Sequence, residues 1–169
     1  MSEVVLDASA LLAIIFQEQG AEKLTDDLMD DAVASTVNLA EVQSELIKKG
    51  FDSEDAWQDA LSLVTAAEPF TSDHARIAGD LIAKTEEYGL SLGDRSCLAL
   101  AIALKAPVYT TEQLWKNLKV GVPIHVIRCE EQGAASCNHE GPERSLRPFV
   151  FLAIAGSLTP ECRTVQGGA

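Results

Sequence analysis

Short apolar segments alternate with helical patterns along the first 128 residues of this 169-residue chain. The apolar segments are a few residues long, and the segments between them carry apolar residues at helical spacing. Such alternation is typical of a parallel sheet with helices on both of its faces. The sequence therefore predicts an α/β protein with a mostly parallel central sheet.

The predicted elements follow from length, residue type and turn signals. The segments predicted as extended are 3–7, 32–36, 68–70, 107–111 and 124–128. The segments predicted as helical are 8–16, 20–31, 38–50, 53–67, 72–89, 91–105 and 112–119. Ser53 is the predicted N-cap of the fourth helix, because a serine hydroxyl can accept from the first free backbone N–H groups.

The alternating pattern ends at Arg128, and the sequence beyond it is rich in turn residues. We therefore predict one domain over residues 1–128 and a C-terminal extension of unknown role over residues 129–169. The apolar run 149–156 is shorter than the roughly 20 residues that span a bilayer. The N-terminus lacks the basic region of a signal peptide. We expect a cytoplasmic protein that does not contact a membrane.

The net charge of −13 bears on how the chain could bind nucleic acid. Broad affinity for nucleic acid comes from lysine and arginine side chains that neutralise phosphates, and acids outnumber bases here by 26 to 13. A cluster of carboxylates can still bind a phosphate through divalent cations. The charge therefore argues against nonspecific binding and does not exclude a nuclease.

Four acids are predicted to lie at one edge of the sheet. Asp7 ends the first strand, and Glu41 is predicted in the first turn of a helix that begins near Asn38. Asp94 opens the apolar helix 91–105, and Glu112 directly follows the strand 107–111. The carboxyl ends of parallel strands and the starts of the following helices share an edge, where ligands bind in open α/β sheets.

Each acid alone also has a structural explanation, because a carboxylate near a helix N-terminus gains about 0.3–1 kcal/mol from the helix dipole. Four converging carboxylates are harder to explain in this way, since two of them about 4 Å apart repel by ~1 kcal/mol even in water. Such a cluster needs counter-cations, and oxygen ligands suit Mg²⁺ or Mn²⁺. The chemistry that a site of this kind supports is attack of activated water on a phosphodiester.

Four segments at these spacings resemble the PIN-domain ribonucleases, and above all the VapC-type toxins of toxin–antitoxin pairs. They are "VVLDASALLAI", "STVNLAEVQSEL", "YGLSLGDRSCLALA" and "VYTTEQLW", and the resemblance covers residues 1–128. It implies a three-layer α/β/α fold and metal-dependent endonucleolytic cleavage of RNA. It also implies inhibition by a cognate antitoxin protein and formation of a homodimer.

The resemblance also assigns residues to the site. Asp7, Glu41 and Asp94 match the acidic core that holds Mg²⁺ or Mn²⁺, and Thr110 matches a supporting hydroxyl residue. The predicted roles are direct metal binding by Asp7 and Asp94, while Glu41 and the fourth acid complete the shell or orient water.

Two further positions match the family pattern less closely or have a second explanation. Glu112 stands where the family usually has aspartate, and its extra methylene shifts the reach of the carboxylate. Ser9 matches a small polar residue of the family site, and a cap at the start of the helix explains it equally well.

Basic residues near the acids are candidates for RNA contacts. Arg95 could bind a phosphate or pair with a neighbouring carboxylate. Lys116 and Lys119 could touch RNA or lie on a solvated face.

Two other functions remain open on the sequence alone. A catalytically degenerate PIN-fold module would bind RNA or a protein partner without cleaving RNA. A phosphatase or phosphotransferase would use Asp7 as its nucleophile, although such enzymes typically carry a second acid two residues on, where this chain has Ser9.

Overall fold

A computed structural model of the chain describes residues 3–128. The predicted extension 129–169 lies outside the described residues. Within them the strands are β1 Val4–Leu6, β2 Ala32–Ser35, β3 Ala66–Glu68, β4 Val108–Thr110 and β5 Ile124–Val126. They form one five-stranded sheet in the order β3-β2-β1-β4-β5, and every neighbouring pair is parallel. The predicted fold class is confirmed.

The helices connect these strands and cover the sheet. They are α1 Ala8–Phe16, α2 Asp26–Met29, α3 Thr36–Lys48, α4 Ser53–Ser62, α5 Ser72–Asp80, α6 Ile82–Thr85 and α7 Leu92–Leu104. Short 3₁₀ turns occupy Ala21–Lys23, Glu86–Tyr88 and Gln113–Asn117. No helix within residues 3–128 is both long enough and apolar enough to cross a bilayer.

Two hydrophobic cores lie on opposite faces of the sheet, because successive side chains of a strand point to opposite sides. In β1, Leu6 packs into a core with α1, α3 and α4, while Val5 packs into a second core with α7. Both side chains are fully buried. The sheet therefore lies between two helical layers, and its central strand β1 ends beneath both of them.

Four predicted helices differ from the structure. Segment 53–67 ends as a helix at Ser62, and its last two residues, Ala66 and Ala67, belong to β3, which therefore lies before most of the predicted strand 68–70. Segment 20–31 is broken into a 3₁₀ turn and α2, because Thr25 has extended backbone between them. Segment 72–89 is divided into α5, α6 and a 3₁₀ turn, and segment 112–119 shortens to the 3₁₀ turn Gln113–Asn117. Spacing alone cannot separate one long helix from short turns that present their apolar residues to the same core.

Two helix starts also differ from prediction. Asp52, and not Ser53, is the N-cap of α4, and its carboxylate accepts hydrogen bonds from the backbone N–H groups of Glu54 (2.8 Å) and Asp55 (3.4 Å). Helix α3 begins at Thr36 with Ser35 as its N-cap. Glu41 therefore lies in the second turn, beyond the reach of the dipole effect that could have explained it.

Candidate functional site

Asp7 is a buried carboxylate, and its hydrogen-bond donors within residues 3–128 are all neutral groups. It follows β1, caps α1 and is 2% exposed. Its Oδ2 accepts hydrogen bonds from the Ser9 hydroxyl (2.6 Å), the Ser9 backbone N–H (3.2 Å) and the Thr110 hydroxyl (3.1 Å). Its Oδ1 accepts only from the side-chain amide of Asn38, at 3.3 Å. Oδ1 is therefore the oxygen with capacity for a further ligand.

Ser9 and Thr110 join the carboxylate to the end of β4. Their hydroxyl oxygens are 3.1 Å apart, and the Ser9 Oγ also accepts from the backbone N–H of Thr111 at 3.0 Å. The Thr110 Oγ1 accepts from the backbone N–H of Glu112 at 3.1 Å. Ser9 thus caps the helix start and also supports Asp7, so both sequence-based explanations of this residue apply.

Asp94 lies in the third position of α7 and is half-buried. Its Oδ2 accepts from the backbone N–H of Ser91 at 2.6 Å, and its own N–H donates to the Ser91 hydroxyl at 3.1 Å. This reciprocal pair is a capping box. One carboxylate oxygen of Asp94 therefore caps the helix, which leaves Oδ1 as the oxygen that can serve the site.

Glu41 reaches the same place from α3. The residue as a whole is exposed, but its carboxylate end lies against Gly93, the residue before Asp94. Within residues 3–128, the Glu41 side chain forms neither a hydrogen bond nor an ion pair. No polar partner among these residues therefore holds the Glu41 carboxylate in place.

Asn38 is a site residue that the sequence analysis did not identify. It is fully buried, and its Nδ2 donates both to Asp7 Oδ1 and to the backbone carbonyl of Gly93, each at 3.3 Å. Its Oδ1 is buried without a hydrogen-bond partner. The available signal was its position three residues before Glu41 on the same helix, which places both side chains on one face.

The pKa values of Asp7 and Glu41 are raised by burial and by the charges of neighbouring acids. Burial raises the pKa of Asp7 to about 6; the Ser9 hydrogen bond opposes the shift, and the charge of Asp94 adds to it. Partial burial of its carboxylate, followed by the charges of Asp7 and Asp94, raises the pKa of Glu41. These acids also add to the effect of burial in raising the pKa of the Cys97 thiol. The structure therefore places the charges of Asp7, Glu41 and Asp94 within electrostatic reach of one another.

Glu112 is placed differently from these three acids. It is exposed, precedes the 3₁₀ turn Gln113–Asn117, and makes no side-chain hydrogen bond as the cap of that turn. Its charge is not among the main causes of the raised pKa values of Asp7 and Glu41. Its role in the site stays a prediction.

The basic residues predicted to contact RNA differ in burial: Arg95 is partly buried, and the two lysines are exposed. Arg95 donates from Nη1 to the backbone carbonyl of Leu90 at 3.0 Å, and its Nε is buried without a partner. Within residues 3–128 it pairs with no carboxylate, which removes the structural explanation considered for it. Lys116 and Lys119 are exposed. Contact of these residues with RNA stays a prediction.

The donor set fits Mg²⁺ or Mn²⁺ in kind. Asp7, Asp94 and Glu41 offer carboxylate oxygens, and the unpaired Oδ1 of Asn38 adds a neutral oxygen that lacks a donor. The ligands are not drawn together as a finished site, because no three acidic, histidine or cysteine side chains in the described part of the chain form a group that could hold a metal ion. Binding would therefore require the carboxylates of the less buried acids, Glu41 and Asp94, to move closer to Asp7, with the Glu41 side chain still lying over Gly93.

The chain matches one protein-family model, and its fold is similar to those of several solved structures. The family model described as "PIN domain" matches residues 4–119. No curated protein sequence matches the chain. A DNA-bound VapBC from Salmonella typhimurium is 15% identical with a TM-score of 0.58, over 74% of this chain and 98% of that one. VapBC2 from Rickettsia felis, bound to a promoter DNA fragment, is 18% identical with a TM-score of 0.57, over 72% and 96%.

A toxin-antitoxin complex from Klebsiella pneumoniae is similar to the same extent. It is 18% identical with a TM-score of 0.57, over 73% of this chain and 96% of that one. At these identities the likeness concerns the fold.

Proposed function

The chain belongs to the PIN domain family, and from this premise we propose that it is a metal-dependent endoribonuclease that hydrolyses RNA phosphodiester bonds. Nuclease activity is typical of that family. The substrate, the metal and the partner proteins are parts of the proposal, and each is supported by a separate feature of the chain.

One observation carries the proposal. Asp7 is buried, all its hydrogen bonds come from neutral groups, and the negative charges of Asp94 and Glu41 lie within electrostatic reach. Burying a carboxylate among like charges is unfavourable unless a cation compensates for it. None of the ion pairs described within residues 3–128 joins a lysine or arginine to one of the three acids, and the charge of Lys48 only partly opposes the raised pKa of Glu41. A bound divalent cation would remove this cost.

We assign the residues as follows. Asp7 and Asp94 hold Mg²⁺ or Mn²⁺, and Glu41 completes the shell or orients the attacking water. When bound, the ion supplies activation of water and neutralises charge on the phosphate. Ser9 and Thr110 donate to Asp7 Oδ2, which favours the ionised carboxylate and leaves Oδ1 for the site. Glu112 remains the candidate fourth acid.

RNA contacts are proposed for two basic residues. Arg95 directly follows Asp94 in α7, and a guanidinium is well suited to phosphate. Lys116 is exposed on the turn after Glu112. Because the chain carries a net charge of −13, binding must depend on such local contacts and on the metal.

We further propose that the protein is the toxin of a toxin–antitoxin pair. Similar folds occur in toxin-antitoxin and VapBC complexes. The proposal includes a cognate antitoxin protein that inhibits the nuclease, a homodimer and a cytoplasmic location. Copurification with the protein encoded next to it, and loss of RNA cleavage on its addition, are the expected results.

A degenerate PIN-fold module is the second candidate. It is favoured by the lack of a finished metal-ligand group in residues 3–128 and by the exposed position of Glu112. Such a module would bind RNA or a protein partner and would leave RNA intact at every metal concentration.

The deciding experiment compares wild type with Asp94→Asn on a mixed RNA pool. Asparagine can still accept from the Ser91 N–H, so the helix cap is kept while the carboxylate is lost. Cleavage should require Mg²⁺ or Mn²⁺, stop in EDTA and fall strongly in the variant. Asp73→Asn, at an exposed acid in the first turn of α5, is the matched control and should cleave like wild type. Cleavage that persists in EDTA would contradict metal dependence.

A further inference from the structure

We propose that Gly93 is a positioning residue of the site: its missing side chain leaves the space in which the Glu41 carboxylate lies beside Asp94. The inference rests on the proposed metal-dependent function. It assigns a role to a residue that carries no chemistry of its own and acts through Glu41.

The space at Gly93 is already filled by Glu41. A Cβ atom built on Gly93 would lie 2.6 Å from Oε2 and 3.5 Å from Cδ of Glu41. A separation of 2.6 Å is well below the contact distance of a carbon and an oxygen atom, so one of the two must move. Any residue larger than glycine would therefore displace the carboxylate.

The backbone at Gly93 is the less movable of the two. Its carbonyl accepts from Asn38 Nδ2 at 3.3 Å, and the two hydrogen bonds of the Ser91–Asp94 capping box enclose it. The Glu41 carboxylate has no hydrogen bond or ion pair within residues 3–128. A substitution at Gly93 would thus move Glu41 and leave the start of α7 in place.

Backbone conformation does not explain the glycine. Gly93 lies in the first turn of α7 and is absent from the glycines of the described chain that have positive φ. Glycine is a poor helix former, and alanine is preferred where the backbone is helical. The local fold would therefore favour alanine, and the space for Glu41 is the feature that favours glycine.

Gly79 provides a matched control. It also lies in a helix close to an end, within α5, and a Cβ there would meet nothing within 4 Å. Gly79→Ala changes the same chemical group without touching the site. The two alanine variants should therefore agree in stability and differ in metal binding.

The test measures thermal unfolding of the full-length protein, without RNA, over a Mn²⁺ titration. Both variants should melt at or slightly above the wild-type temperature in EDTA, with a rise of about 1–3 °C from helix propensity. Gly93→Ala should weaken Mn²⁺ binding about 10–100-fold, the range typical of changes in residues that orient metal ligands. Gly79→Ala should bind Mn²⁺ like wild type.

A double-mutant cycle tests whether Gly93 acts through Glu41. In a Glu41→Ala background the space is empty, so adding Gly93→Ala should leave Mn²⁺ affinity unchanged within about two-fold. If Gly93→Ala weakens binding equally in both backgrounds, the positioning role is wrong. Wild-type affinity in the single Gly93→Ala variant would overturn the inference as well.

The outcome for wild type separates this inference from the function on which it rests. If wild type gains melting temperature with Mn²⁺ and Asp94→Asn does not, the metal site stands, and the Gly93 variants alone decide the inference. If wild type and Asp94→Asn respond alike, the metal site is absent and both proposals fall.

Discussion

The Thr110 hydroxyl donates a 3.1 Å hydrogen bond to Oδ2 of Asp7, although 103 positions separate the two residues. Both side chains are buried, so this bond cannot be replaced by bulk water. It fixes the end of β4 to the end of β1 at the buried acid of the candidate site.

Replacing Thr110 by valine should destabilise the protein by about 1–3 kcal/mol, because a buried acceptor loses a donor while the shape is kept. Urea unfolding measures the change. Thr111→Val, at a neighbouring buried residue that is not among the hydrogen-bond donors to Asp7, should change the free energy of unfolding by less. Equal losses in the two variants would show that the hydrogen bond to Asp7 is not responsible.

Asn38 can be tested with two substitutions of similar size. Asn38→Leu leaves Asp7 Oδ1 without a donor, removes the second donor to the Gly93 carbonyl, and should destabilise the protein by about 1–3 kcal/mol. Asn38→Asp places another carboxylate against Asp7, so its loss should be larger at pH 7 than at pH 5. Parallel pH profiles of the two variants in urea unfolding would contradict this electrostatic reading.

The raised pKa of Asp7 predicts how the metal-free protein responds to pH. Between the usual value of 3.8 and about 6, the folded state binds more protons than the unfolded state, so stability falls as pH rises through this interval. A shift of this size corresponds to about 3 kcal/mol. Partial burial of Glu41 and its acidic neighbours raise its pKa too, and act in the same direction.

Comparison with Asp7→Asn isolates this contribution. In EDTA, wild type should lose stability relative to the variant from pH 4 to pH 7, and urea unfolding at each pH gives the difference. Saturating Mn²⁺ should abolish the loss in wild type. A difference that stays constant over the whole interval would mean that Asp7 does not titrate there.

Glu112 should matter less for catalysis than Asp94. Because Glu112 is exposed and its charge is not among the main causes of the raised pKa values of Asp7 and Glu41, Glu112→Gln should lower RNA cleavage by about ten-fold, the low end of the range for residues outside the immediate ligand shell. Asp94→Asn should lower it much further. Initial rates of the two variants at saturating Mn²⁺ provide the comparison. Equal losses of activity would indicate that Glu112 binds the metal as Asp94 does.

The N-cap of α4 provides a prediction independent of function. Asp52→Ala should cost about 1 kcal/mol, because the carboxylate that accepts from the first two free N–H groups is lost. Ser53→Ala should be nearly neutral, since Ser53 is the first helical residue and not the cap. Thermal unfolding of the two variants distinguishes the assignments.

The sequence predicted β1, β2, β4 and β5 well, because each is a short apolar segment bounded by turn residues. It misplaced β3, because Ala66 and Ala67 are strong helix formers that extend the preceding helical pattern. It also placed Asp7 and Asp94 correctly at the strand end and the helix start. It misplaced the start of α3, since Asn38 was taken as the first residue of a helix that Ser35 caps. Because Ser35 was not identified as the N-cap, the sequence predicted Glu41 in the first turn of α3 when it lies in the second.

Asn38 and Gly93 escaped prediction for a different reason. A buried asparagine reads as an ordinary polar residue until its partners are known, and those partners lie 31 and 55 positions away. The need for glycine at position 93 arises from the Glu41 side chain, which belongs to another helix. Both are properties of the packed structure and leave no periodic signal.

The sheet order has a consequence for how the protein is made. Strand β1 is central, and its neighbour β4, which carries Thr110, is synthesised about a hundred residues later. A growing chain that has reached only α3 holds Asp7 and Glu41 but neither Asp94 nor the strand that completes the site. On the ribosome, which adds about 5–20 residues per second, the candidate active site can form only when most of the domain has been translated. A harmful activity would thus be withheld from incomplete chains by topology alone.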